Sequence, residues 1–373
     1  MNSRREILAL SLAAAVASKA SAAPAGSPGE WRNRQPGMAY RRLGRTGFMI
    51  SEFVMGGNLI SPTNYEHVLE ALDRGLNYLD TAPAYGNLQS EKGYARVIAA
   101  RKRDSFFLNT KISMWDINRG KLFQDIFLSL PETEQKKLQS EAMEELERRR
   151  ALDPDYICDY TRSQRDELRT AALANVMENR YGRRIDRGRN YRQLIIDSLD
   201  SSLRRLGTDH VDLMMCPHGA STPAELLTHP EIFDAFETLK KAGKVRHLGV
   251  SAHNDPAGIL EAAARTGKYS AAMVAYNIIN HRYVDGALEK AHRSGMGVIA
   301  MKVARPVFNG RNNGTPDIPE RVEKIQKAIP GALKVPQKAY VWALRNPLLG
   351  AVISEMGNAA IMRDNLPLAA PKA

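Results

Sequence analysis

Two cysteines, Cys158 and Cys216, are all that the 373 residues contain. They show no metal-ligand spacing and offer no cluster for an iron–sulfur centre, so neither kind of site is expected. An oxidising compartment would permit a disulfide. However, Cys158 falls in residues 116–190, which read as an insertion, and Cys216 ends an apolar run expected to be buried, so two free thiols are expected. A long apolar run is also missing. The most apolar N-terminal segment, Ala9 to Ser18, is short and alanine-rich, which is not enough for a stable membrane span. Aromatic residues do not interleave with the basic runs Arg148-Arg149-Arg150 and Arg183-Arg184-Ile185-Asp186-Arg187-Gly188-Arg189. The stacking platform of a nucleic-acid binder is therefore not expected, and the runs read as solvated helical faces, with binding of polyanions or a membrane surface as the other reading.

What is present begins with an export signal. Met1-Asn2-Ser3-Arg4-Arg5-Glu6-Ile7-Leu8 places paired arginines before the apolar segment, and Ala20-Ser21-Ala22 supplies small residues for cleavage. The arrangement resembles the twin-arginine type, which implies the twin-arginine export machinery as a partner and a bacterial periplasmic location. An ordinary secretory signal or an uncleaved anchor is the other reading. The chain carries +12, and removing residues 1–22 takes away three positive charges and one negative, leaving about +10. Residues 23–37 are rich in Pro, Gly and Ser without an apolar period and read as a flexible linker.

Beyond the linker, Tyr40 to Ile50 has turn residues between two strand-like pieces and reads as a hairpin. Strands and helices then alternate. Strands are expected at 52–57, at Leu76 to Asp80, at Ser105 to Lys111, at Val211 to His218, and at 245–250, 271–277, 298–303 and 349–353. Helices are expected at 64–74, 89–101, 191–206, 230–242, 256–266, 284–294 and 335–345, with a last one from Asn358. Continuous apolar runs linked by crossover helices indicate parallel strands buried on both faces, and eight of them predict an α/β fold, a (β/α)8 TIM barrel. Residues 116–190 stand outside this alternation, and the barrel unit 38–373 without them has about 261 residues, a usual length. Ser129-x-x-Glu132 reads as a capping box opening a charged helix to about Arg150, and Gln164 to Asn179 as a second helix. This helical insertion follows the third barrel strand. It reads either as a lid or substrate wall, or as a surface embellishment or oligomer contact.

Side chains at the C-terminal ends of barrel strands line the active site in this architecture. Three of the runs deliver Asp80 with Tyr85 just beyond, Lys111, and His218 to that level. Each has an ordinary structural reading alone: a loop cap, a rim aromatic, a strand-end charge, a satisfied polar group. Together, within the strings LDTAPAYG, NTK and VSAHN, they resemble the catalytic tetrad of the aldo-keto reductases, over about Tyr40 to Leu366. The resemblance implies direct hydride transfer from NADP or NAD to a small-molecule carbonyl, or back from an alcohol, with a sugar-like substrate among the candidates, without metal. Tyr85 would act as the acid once its pKa falls toward neutrality. Lys111 would stabilise the phenolate, Asp80 would keep that lysine charged, and His218 would orient the carbonyl.

The resemblance further implies that Gly57, Asp80, Ser251, Met301, Lys302, Ser354, Asn358 and Asn365 hold the cofactor. Gly56-Gly57 would let backbone pass close to it. Departures from the family pattern concentrate here. Ala252 stands for an asparagine, Met273 for a glutamine and Met301 for a stacking aromatic. Ser354-Glu355 replaces Pro-Gly, and Gly357 stands where an arginine reads the 2′-phosphate. An acidic Glu355 favours ribose hydroxyls over that phosphate, unless Arg305 or Arg311 supplies the charge. His218 also lies one residue later than the usual spacing, after Pro217. A catalytically silent, nucleotide-retaining barrel that senses or binds a partner is the alternative function.

Overall fold

The structure, a computed structural model, describes residues 28–308 and 318–371. The export signal at 1–22, the start of the expected linker and Arg311 lie outside the described residues. Eleven strands are present among those described. In chain order β1 is Glu30–Trp31, β2 Tyr40–Arg42, β3 Phe48–Ser51, β4 Phe53–Met55, β5 Tyr78–Asp80 and β6 Phe107–Lys111. Then come β7 Val211–His218, β8 Val245–Ala252, β9 Ala271–Ala275, β10 Gly297–Met301 and β11 Ala351–Ser354. Strands β4 to β11 pair in sequence order, each parallel to the next, and β11 returns to β4, closing the (β/α)8 barrel.

Inside the apolar runs, alternate side chains part company. Val54, Tyr78, Phe107, Leu213, Met215, Met273, Ile299 and Met301 fill the barrel interior. Their neighbours Phe53, Met55, Leu79, Leu108, Met214, Ala272, Val274 and Ala300 pack outward beneath the helices. This period of two puts Asp80 on the same side as Tyr78, and Asn109 and Lys111 on the same side as Phe107. The polar ends of β5 and β6 therefore sit on top of an apolar interior. Gly249 of β8 also faces inward, where a Cβ would stand 2.4 Å from Met215 Sδ, so glycine makes room for that methionine. At the other end, the antiparallel hairpin of β2 and β3 adds Leu43, Phe48 and Ile50 to the interior cluster and plugs it.

Residues 28–37 do not form the flexible linker expected of them. Strand β1 pairs in parallel with β3. Arg32 Nη1 donates to Phe106 O at 2.8 Å, and Asn33 Nδ2 donates to Leu76 O at 2.9 Å. Composition carried the expectation, whereas carbonyls at the barrel base supply the order.

The insertion has its own apolar core, built from Phe123, Leu138, Leu146, Leu168, Ala172, Val176 and Met177. Its helices run over Trp115–Leu128, Glu132–Arg148, Pro154–Ile157 and Gln164–Tyr181. The first and the third were not expected, nor was Pro319–Ala328 after β10. The expected capping box is absent. Ser129 Oγ donates to Ile126 O at 2.7 Å, closing the preceding helix, and Pro131 takes the cap position of the next without a side-chain bond. The same serine thus reads locally as a helix start and serves as a helix end.

Buried polar contacts fasten the insertion to the loops that follow β7, β8 and β9. Asn175 Nδ2 donates to Thr222 Oγ1 at 2.9 Å, Tyr156 Oη to Asp255 Oδ1 at 2.6 Å, and Asn277 Nδ2 to Tyr160 Oη at 2.8 Å. Arg149 pairs with Asp255, and Arg321 with Asp155 of the insertion. Among the described residues both cysteines are buried free thiols, and no helix is long and apolar enough to cross a membrane.

Candidate active site

Asp80, Tyr85, Lys111 and His218 meet at the C-terminal mouth of the barrel. Lys111 Nζ is fully buried and donates to Asp80 Oδ1, to Thr81 O at 3.0 Å and to Tyr85 Oη at 3.0 Å. Asn109, two residues below Lys111 on the same face, donates to Asp80 Oδ1 at 2.8 Å and fixes that carboxylate. Tyr85 is delivered by a turn in which Tyr85 N donates to Ala82 O at 3.1 Å and Leu88 N to Pro83 O at 2.9 Å. Gly86, Asn87 and Leu88 all take left-handed backbone there. Side chains lock the turn below: Thr81 Oγ1 and Ser90 Oγ are 2.7 Å apart, and Ser90 Oγ donates to Gly57 O at 2.7 Å.

His218 reaches the site because the β7–β8 register shifts between Met215 and His218, bringing His218 opposite Ser251. That irregularity absorbs the extra residue noted in the sequence. Its ring meets Tyr85 edge-on, with centroids 5.9 Å apart, and its Nδ1 lies 2.8 Å from Ser113 Oγ.

The electrostatics follow from burial. Lys111 is pushed below the ordinary lysine value by loss of water, and the Asp80 carboxylate opposes that shift. Tyr85 is pushed well above the ordinary phenol value, first by burial and then by the Asp80 charge. The expected fall toward neutrality is therefore corrected for the protein alone: Tyr85 rests as a protonated phenol. His218 is held well below its usual range by burial and by the Lys111 and Lys302 charges, so it rests neutral.

The positions implied for a cofactor divide into two groups. Ser251, Met301 and Lys302 sit at the ends of β8 and β10 beside the tetrad. Asp80 Oδ2 is buried and has no hydrogen-bond partner among the described residues. A buried acceptor of this kind is costly unless something donates to it, and a ribose hydroxyl would do so. These residues fit the nicotinamide end of a dinucleotide.

The adenosine end is less prepared. Gly57 is not kept open for a ligand: a Cβ there would stand 2.1 Å from Asp80 O and 2.9 Å from Tyr94 Cε2, so its smallness serves packing within the protein. Asn365 Nδ2 donates to Ser354 Oγ at 3.1 Å, and Asn358 caps the helix Ala359–Asn365 by accepting from Ile361 N at 2.9 Å. Glu355 accepts from Asn58 Nδ2 at 2.9 Å, tying the segment after β11 to the one after β4.

Three participants escaped sequence reasoning. Asn109 lies inside a run read as apolar, and Ser113 follows a strand end by two residues. His253 stands one residue beyond β8 within the quoted VSAHN. It is held well below its usual range by burial and then by the nearby Lys302 and Lys111 charges. Period-two counting from Lys111 signals Asn109; nothing local signals the other two.

A closed eight-stranded parallel barrel with Asp80, Tyr85, Lys111 and His218 gathered at its C-terminal mouth carries polar side chains where barrel enzymes hold their active sites. The aldo/keto reductase family model matches residues 55–152 and 180–370, and the chain belongs to that family of oxidoreductases. Aldo-keto reductase AMT2 of Alternaria alternata is 25% identical over 304 residues, covering 72% of this chain and 67% of its own. Oxidoreductase YdhF of Escherichia coli (strain K12) is 45% identical over 60 residues, covering 16% of this chain and 19% of its own. Among solved structures, the holo form of aldo-keto reductase AKR11C1 from Bacillus halodurans shares the fold. Its TM-score is 0.58 at 18% identity, covering 89% of this chain and 90% of that one.

Proposed function

We propose that this protein interconverts a small carbonyl compound and its alcohol, with Tyr85 as the proton donor and acceptor and NAD or NADP as cofactor. The observation that carries the reading is the relay Asp80–Lys111–Tyr85, in which a buried Asp80–Lys111 pair sets Lys111 Nζ 3.0 Å from the half-buried phenol oxygen. When bound, the nicotinamide supplies or accepts the hydride. The chain's own residues handle the proton. Tyr85 rests protonated and gives its proton to the carbonyl oxygen as negative charge develops there. The Lys111 ammonium then stabilises the phenolate left behind, and Asp80 keeps that buried ammonium charged. Neutral His218 donates an N–H to the same oxygen and sets its direction.

Asp80 Oδ2, Ser251, Met301 and Lys302 would hold the nicotinamide half. Glu355 beside the adenosine half weighs against a 2′-phosphate and favours NAD. The insertion, bonded to three mouth loops, would serve as a fixed wall that keeps water out. A twin-arginine signal would carry the folded, loaded protein to the periplasm.

The decisive experiment compares wild type with Tyr85→Phe on a panel of aldehydes, ketones and alcohols with each cofactor. The variant should lose about 10²-fold or more in kcat with cofactor binding unchanged, because only the acid is lost. Turnover near the wild-type rate on a substrate the wild type uses would overturn the assignment. The mutual bonding of Ser354 and Asn365, with Asn358 spent on a helix cap, favours a second reading, a nucleotide-retaining barrel without turnover. That reading requires a wild type that binds dinucleotide and turns over no member of the panel.

A further inference from the structure

His218 presents a choice that the reaction cannot leave open. A neutral imidazole carries one proton, and only the nitrogen that carries it can donate. The nitrogen facing the substrate must be that one if His218 is to hold a carbonyl oxygen. The choice is set by whatever bonds to the other nitrogen, and here that is Ser113.

Ser113 is held between two site segments. Its neighbour Ile112 continues the ladder of β6 by donating to Met215 O at 2.9 Å. Its own hydroxyl oxygen accepts from Ala84 N at 3.4 Å, the residue before Tyr85, and lies 2.8 Å from His218 Nδ1. A hydroxyl has one proton to give and can accept more than once. The Ala84 N–H occupies an accepting position, and among the described residues Nδ1 is the acceptor within reach of the serine proton. With the Ser113 proton on that bond, Nδ1 keeps its lone pair and Nε2 carries the ring hydrogen. Burial and the Lys111 and Lys302 charges keep the ring neutral, so the choice between nitrogens is a real one.

We infer that Ser113 is a positioning residue that fixes His218 as the Nε2–H tautomer, and that through Ala84 it couples this choice to the turn carrying Tyr85. The inference rests on the carbonyl–alcohol reading for its purpose, although the tautomer itself can be tested without any substrate. Ser113 touches neither the reacting atoms nor the relay. Its effect passes through the orientation of the imidazole and the approach of two loops.

Histidine labelled with 15N and observed by long-range proton–nitrogen correlation reports which ring nitrogen is protonated, and the His218→Gln spectrum identifies the signal. In the wild type near neutral pH, His218 should show a protonated Nε2 and a bare Nδ1. In Ser113→Ala the share of the Nδ1–H form should rise about five-fold, as expected for one lost neutral hydrogen bond. Ser113→Thr, which keeps the hydroxyl, should restore the wild-type ratio. On a substrate found with the panel above, Ser113→Ala should lower kcat about ten-fold with cofactor affinity unchanged, and Ser113→Thr should recover most of it. A protonated Nδ1 in the wild type overturns the inference without any variant having to fold. So does a tautomer ratio that ignores Ser113→Ala. Loss of the proposed function, seen as an unimpaired Tyr85→Phe, would leave the tautomer measurement standing, so the two failures are separable.

Discussion

Replacing Asp80 by asparagine removes one negative charge from beside a fully buried ammonium while preserving the shape of the side chain. Lys111 would keep Thr81 O and Tyr85 Oη as acceptors, each at 3.0 Å, and lose the one carboxylate bonded to it among the described residues. Breaking a buried pair by deleting one partner typically costs about 3–5 kcal/mol. Because two acceptors survive, the lower end of that range, about 3 kcal/mol, is expected near neutral pH. The cost should also depend on pH in a definite direction. Burial already sets Lys111 below the ordinary lysine value, and Asp80 restrains the shift; without Asp80 the depression deepens. Between that depressed value and the unfolded value of about 10.4, the unfolded chain binds a proton that the folded variant has released. Stability of the variant therefore rises with pH across that window, and the gap to wild type narrows. Urea unfolding of both proteins at a series of pH values measures this gap, and taking the difference cancels groups common to both. A gap below about 1 kcal/mol, or one that stays constant from neutral pH to about pH 10, would refute the account of a buried ammonium held by Asp80.

Other expectations follow from single contacts. Glu355→Gln removes the carboxylate at the adenosine end, so NADPH affinity should rise about five-fold, as for one nearby charge in a wet setting, while NADH affinity stays constant. Fluorescence titration reads both, and equal response of the two cofactors would show that Glu355 does not face the 2′-position. At the foot of the insertion, burial alone would raise Glu178, yet His229, Arg119 and Arg187 hold it down at about 2. A folded value below the unfolded one adds stability above the ordinary carboxylate range. The cost of Glu178→Gln should therefore be full at neutral pH and shrink as the pH falls from about 4.3 toward that value; thermal unfolding that shows a constant cost would contradict it. Changing Arg4 and Arg5 together to lysine should leave precursor in the cytoplasm, seen by fractionation, and normal export would point to the ordinary secretory route.

Much of the barrel was legible in the chain because its determinants are local. An apolar run ending in a polar residue identifies a buried strand and its exit, and the order of such runs sufficed to place Asp80, Tyr85, Lys111 and His218 at one mouth. The cysteine economy is likewise a property of short stretches. What the runs concealed is which side chain faces which way, because a strand buried on both faces has no polar alternation to read. Closing the barrel settled that, turning Asn109 and Lys111 inward with Phe107, and Leu108 outward. Local signals also misled where a distant partner decides. Ser129 offered a helix start and became a helix end, Gly57 offered space that Asp80 and Tyr94 use, and the Gly/Pro-rich stretch at 28–37 was pinned by carbonyls of residues far along the chain. The Tyr85 phenol went upward rather than downward because burial is a property of the assembled mouth, which no stretch of sequence carries. Ser113 and His253 joined the site for the same reason: their partners lie on other strands, and only folding sets those strands side by side.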